Sequence, residues 1–136
     1  LGELPRHMKD AFAQLDAILD AGGAPAPNEL RGMPGSPGRV TGRVRVVRSV
    51  VDLDRLEPGE ILVAPLTTPA WTLAFTRAAA VVTDTGSVAS HASVVAREYG
   101  LPAVVATGDA TTRLRDGQTV TVDGARAVVR IDVDRA

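Results

Sequence analysis

Cysteine is absent from the 136-residue chain. That removes disulfides, thiolate metal centres and a cysteine nucleophile. Aromatic residues make up 3%, and 15 Lys and Arg nearly cancel 16 Asp and Glu, for a formal net charge of -1. Such a chain offers neither the basic face nor the stacking platform that nucleic-acid binding uses. No apolar run approaches the roughly 20 residues that cross a bilayer, and the start does not read as a secretory leader. The expected compartment is the cytoplasm, with no membrane partner. Histidine is rare as well, with two in the chain, His7 and His91. His7 lacks neighbouring ligand types, so a metal site is not expected. The carboxylates are scattered, without a pair for acid–base work. What is present is ordinary globular composition, 45% hydrophobic and 23% charged, in a length that suits one domain with a core. The chain opens on Leu1 and not Met, which reads as a piece of a longer polypeptide.

Leu4, Met8, Ala11, Phe12, Leu15, Ile18 and Leu19 recur at helical spacing, between Pro5 and Gly22-Gly23. Residues 1–22 are therefore predicted to form an amphipathic linker helix. Pro25, Pro27, Pro34 and Pro37 with their glycines mark residues 23–35 as a linker without packed structure. A compact domain is expected over 36–136. Val40, Val44 and Val46 alternate with Thr41, Arg43 and Arg45, with Gly42 at a bulge or a close approach. Glu60 to Ala64 and Ala78 to Val82 are short apolar runs suited to buried parallel strands. Pro69 opens a helix to about Arg77, with Ala70, Leu73, Ala74 and Arg77 on one face and Trp71 and Phe75 on another. Asp109 is placed to cap a turn reaching Leu114. Gln118 to Val122 and Arg126 to Ile131 flank Asp123-Gly124 as a hairpin. Short strands and helices alternating through the middle predict an α/β layered domain.

The middle of the chain is dominated by one stretch, Thr83-Asp84-Thr85-Gly86-Ser87-Val88-Ala89-Ser90-His91, followed by a two-turn helix stopped at Gly100. Pro102 sets the entry to the strand beyond it. His91 falls where a small-residue turn becomes a helix, beside backbone N–H groups that favour a bound anion. A helical wheel puts Ala92, Val95, Ala96 and Tyr99 inside, Ser93 and Arg97 in water, and His91 on the rim with Val94 and Glu98. A neutral imidazole on such a rim can act as a covalent nucleophile, and Gly86, Ser87, Ala89 and Ser90 are small enough for phosphate to approach the backbone. A histidine that merely caps or faces solvent fits the same spacing. Ser90 and His91 do not form a hydrolase dyad, because adjacent residues on a helix do not face each other.

These residues resemble the phosphohistidine, or swivelling, domain of the phosphoenolpyruvate-utilising enzymes, a family that includes phosphoenolpyruvate synthase, pyruvate phosphate dikinase, enzyme I of the sugar phosphotransferase system and rifampicin phosphotransferase. The resemblance rests on Thr83, Gly86, Ser90-His91-Ala92, Ala96-Arg97-Glu98 and Gly100 to Val105. It extends through Ser36-Pro37-Gly38, Gly59 to Ala64, Thr67-Thr68-Pro69-Ala70-Trp71 and Asp116 to Gly124, spanning about 34 to 132. It implies a three-layer β/β/α swivelling fold and a phosphohistidine at His91. It also implies phosphate-positioning roles for Gly86, Ser87, Ser90, Thr85, Thr83 and Arg97. The partners it implies are nucleotide-binding and acceptor domains of a parent polypeptide. ATP and Mg would belong to such a partner, with no cofactor bound by this chain. Two positions depart from the family pattern: Ser87 replaces its second glycine, and Ala89 stands where several members carry a regulatory threonine. Two readings therefore remain, an active carrier and a degenerate interaction or regulatory module on the same scaffold.

Overall fold

The computed structural model describes residues 28–132. Eight strands follow one another as β1 (Glu29–Arg31), β2 (Met33–Ser36), β3 (Arg39–Val46), β4 (Ile61–Ala64), β5 (Ala80–Thr83), β6 (Ala103–Val105), β7 (Thr119–Asp123) and β8 (Val128–Ile131). Two α-helices, α1 (His91–Tyr99) and α2 (Ala110–Arg113), and 3-10 segments at Val50–Arg55 and Pro69–Thr76 complete the order.

The strands hydrogen-bond in the order β1-β8-β7-β3-β4-β5-β6-β2. β3 belongs to two halves. Its first part, Arg39 to Arg43, pairs antiparallel with β7, and its last part, Val44 to Val46, pairs parallel with β4. The parallel run β3-β4-β5-β6 is covered on both faces, and every residue of β4, β5 and β6 is buried. Alternation along each strand divides the core in two. Ile61, Val63, Ala80, Val82 and Val104 face Val120, Val122 and Val129 of the antiparallel half. Leu62, Ala64, Val81, Ala103 and Val105 face Trp71, Phe75, Ala92 and Ala96 of the helical layer. The result is the expected three-layer β/β/α arrangement.

Residues 29–36 correct the linker reading. They form β1 and β2, and Leu30 is 1% exposed in the core. The prolines misled because β2 is the last strand of the sheet, pairing with β6 alone, and an edge strand tolerates a missing N–H. The helix predicted over 1–22 lies outside the described residues. Gly42 is a close approach: a Cβ there would stand 3.2 Å from the Gly59 carbonyl oxygen and from Ile61.

Pro69–Thr76 is a 3-10 helix and not the α-helix expected to Arg77. Thr72 and Thr76 donate their hydroxyls to the carbonyls of Pro69 and Leu73, three residues back, which matches the tighter winding. That winding buries Trp71 and Ala74 together with Phe75 and leaves Leu73 73% exposed. Among the described residues, no helix is long and apolar enough to cross a membrane.

Candidate phosphohistidine site

The parallel strands deliver their C-terminal ends to one edge, where sites of α/β sheets collect. β4 leads into the loop from Pro65 to Thr68, and β5 leads into the turn that carries His91. Thr85 donates both its N–H and its hydroxyl to the Pro65 carbonyl, each at 3.1 Å. Asp84 donates its N–H to Ala64 at 3.1 Å and accepts from Gly108 at 2.8 Å. Its carboxylate takes the N–H and hydroxyl of Thr111, at 2.9 and 2.6 Å. It thereby holds the start of α2, where Asp109 makes no side-chain capping bond.

Gly86 has φ 127°, and a Cβ there would meet Ser90 Oγ at 3.0 Å. Glycine is therefore required at that position. Ser87 is not among the positive-φ residues, so the family's second glycine can be serine without backbone strain. The Ser87 carbonyl gathers the Ser90 N–H (3.1 Å), the Ser90 hydroxyl (2.8 Å) and the Ser93 hydroxyl (2.7 Å). Ser90, the N-cap of α1, makes no side-chain cap to the helix. Gly100, left-handed at φ 70°, ends α1 as expected.

His91 is half-buried at the first position of α1. Its Nδ1 lies 2.8 Å from Thr67 Oγ1. Phe75 meets the ring edge-on, with centroids 6.0 Å apart at 81°. With one ring nitrogen tied and a wall of aromatic carbon on one side, the imidazole has one orientation. Nε2 has no hydrogen bond to the described residues. Three surface clefts of about 430, 440 and 900 Å³ lie elsewhere, and His91 lines none of them.

The candidate residues fall into distinct places. Thr83 is fully buried, and its hydroxyl donates to the Thr85 carbonyl at 2.6 Å, so it braces the turn from beneath. The hydroxyls of Thr85 and Ser90 are taken by Pro65 and Ser87. Ser87 Oγ accepts from the Ala89 N–H at 3.2 Å, and its own proton goes to no acceptor among the described residues. Arg97 donates to the Gly35 carbonyl at 2.7 Å and the Val88 carbonyl at 2.9 Å, pinning the turn to β2.

Two wheel assignments are corrected. Ser93 is fully buried, because the Ser87 carbonyl satisfies its hydroxyl. Tyr99 is 46% exposed and lies against Phe75 with ring centroids 6.3 Å apart. Thr67 and Asp84 acquire functional places that residue chemistry had not assigned. Position on neighbouring parallel strand ends was the available signal for both. Among the described residues, no group of three or more His, Cys, Asp or Glu could hold a metal ion.

Comparison with known proteins agrees with this geometry. Residues 56–127 match the family described as PEP-utilising enzyme, mobile domain. The chain is 54% identical over 128 residues to a chondramide synthase of Chondromyces crocatus, covering 91% of this chain and 3% of that protein. It is 50% identical over 101 residues to the phosphoenolpyruvate synthase of Aeropyrum pernix, covering 74% and 12%. It is 39% identical over 143 residues to the rifampicin phosphotransferase of Streptomyces sviceus, covering 94% and 16%. Among solved structures, an Enzyme I protein matches with a TM-score of 0.53 and 31% identity, over 62% of this chain and 35% of that one. The chain thus spans 3% to 16% of the length of the curated relatives it matches. With the motif, the fold and the family match in agreement, the chain belongs to the mobile-domain family of PEP-utilising enzymes.

Proposed function

We propose that this domain is the phosphoryl carrier of a larger phosphotransferase and that His91 Nε2 is the atom that takes up the group. The observation that carries the reading is the 2.8 Å contact between Thr67 Oγ1 and His91 Nδ1. With Nδ1–H donating to Thr67, the lone pair of the neutral ring resides on Nε2, the nitrogen without a protein partner. In the charging step Nε2 attacks the terminal phosphorus of ATP or of phosphoenolpyruvate. The N–P bond forms, the P–O bond to the leaving group breaks, and that oxygen departs with the bonding pair. In the second step an acceptor oxygen attacks phosphorus, and the N–P pair returns to Nε2.

The positive end of α1 stands beside the phosphoryl group and favours its negative charge. Gly86 leaves space for it, and Ser87 is the hydroxyl with a proton to donate. Thr83, Thr85, Ser90 and Arg97 act by holding the turn. Nucleotide-binding and acceptor domains of the parent polypeptide are the partners, and Mg with ATP belongs to the first of them. The unstrained Ser87 supports an active carrier over a degenerate module.

The test is incubation of the full-length parent with labelled ATP or phosphoenolpyruvate. Acid-labile, base-stable label is expected on His91 and is abolished by His91→Ala. Equal labelling of that variant overturns the proposal.

A further inference from the structure

We infer that the uncharged, apolar collar around His91 seats in the mouth of the phosphoryl-donor site of the parent polypeptide, and that this mouth supplies the positive charge opposite the phosphoryl group. The inference rests on the carrier reading.

The two segments that frame the ring, 65–69 and 85–90, contain no charged residue. They do present exposed apolar side chains: Leu66 is 49% exposed and Val88 48%. Val94, one turn along α1 from His91, is 38% exposed. Leu66 immediately precedes Thr67, which holds the ring. Single exposed apolar residues are unremarkable on a surface, but apolar residues gathered around one reactive group mark a contact site.

The charged groups that border the collar already have partners. The Asp84 carboxylate accepts two bonds from Thr111, and the Arg97 guanidinium donates to the Gly35 and Val88 carbonyls. The face therefore brings little positive charge of its own to a phosphoryl group on Nε2. Transfer of that group needs cationic groups on its oxygens and exclusion of water. Because His91 lines none of the clefts, a second surface must enclose the ring. An apolar collar sealing the rim of a cationic mouth meets both needs, since contacts around a hot spot serve to exclude solvent.

The experiment uses the full-length parent and two phosphoryl sources. One is its own donor, ATP or phosphoenolpyruvate. The other is phosphoramidate, which phosphorylates histidine directly: the N–P bond to Nε2 forms, the donor's P–N bond breaks, and ammonia leaves. Leu66→Glu and Val94→Glu are expected to slow charging by the donor at least about tenfold, while labelling by phosphoramidate stays within about twofold of wild type. Leu66→Lys and Val94→Lys are expected to slow donor charging further, because like charges then meet at the mouth. Unchanged donor charging in the Glu variants overturns the collar as the docking face. Lys variants that charge as fast as the Glu variants, or faster, overturn the cationic mouth. Failure of phosphoramidate to label His91 in the wild-type protein removes the carrier reading itself, which separates the two failures.

Discussion

Thr67 contributes one oxygen atom to the site, and that oxygen selects which nitrogen of His91 faces outward. Valine matches threonine in shape but cannot accept from Nδ1–H. Thr67→Val is therefore expected to mix the two ring tautomers and lower the rate of phosphoryl uptake about tenfold, in keeping with a hydrogen bond worth about 1 kcal/mol. Thr67→Ser, which keeps the hydroxyl, is expected to stay within about threefold of wild type. Single-turnover labelling gives the rates, and the nitrogen shifts of the ring give the tautomer populations. A valine variant with wild-type rate and a wild-type tautomer would show that Phe75 alone orients the ring.

The turn between β5 and α1 is the element that makes His91 usable, and its backbone demands are unequal. Gly86 adopts φ 127° and sits 3.0 Å, at the position of an added Cβ, from Ser90 Oγ. Gly86→Ala should therefore cost about 1–3 kcal/mol of stability from the left-handed strain and the displaced serine. Ser87→Gly should cost less than about 1 kcal/mol, mainly through added freedom in the unfolded chain. Urea denaturation of the two variants compares them directly. The reverse order would mean that the turn is held by Ser87 and not by the glycine. The buried Ser93 belongs to the same element, since its hydroxyl ties the helix to the carbonyl at the centre of the turn.

Across the whole molecule, the two halves of the sheet are joined at β3 by an ion-pair network remote from the His91 motif in sequence. Arg45 donates to both carboxylate oxygens of Glu60, at 3.1 and 3.0 Å. Asp116 accepts the Val46 N–H at 2.7 Å and pairs with Arg45 and Arg55. Burial pushes both carboxyls upward, but the Arg45 bond and the Glu57 N–H outweigh it at Glu60, and the Val46 N–H and Arg55 outweigh it at Asp116. Both folded values therefore lie below the ordinary 4.5 and 3.8. Protons then bind the unfolded chain more readily, so the stabilisation is complete above those ordinary values and declines as pH falls through and below them. The urea midpoint should drop on acidification across that window, with a shallower drop in Glu60→Gln. A midpoint independent of pH there would mean the network contributes nothing to stability.

Much of the fold was legible because local chemistry and tertiary environment agree. Apolar runs at β4 and β5 are buried on both faces, Asp123-Gly124 turns the final hairpin, and Gly100 stops α1. The motif around His91 likewise pointed to its family before any distance was known. Disagreement arose where the environment altered what a residue type signifies. Proline at the sheet edge permits β2, a carbonyl from the preceding turn lets Ser93 be buried, and paired threonines tighten Pro69–Thr76 into a 3-10 helix. The amino-acid order alone determined the layered α/β class and the placing of one histidine at the start of a helix. The joining of Thr67 to that histidine, 24 residues away, was decided by the tertiary structure, because the parallel pairing of β4 with β5 brings the two loops to the same edge.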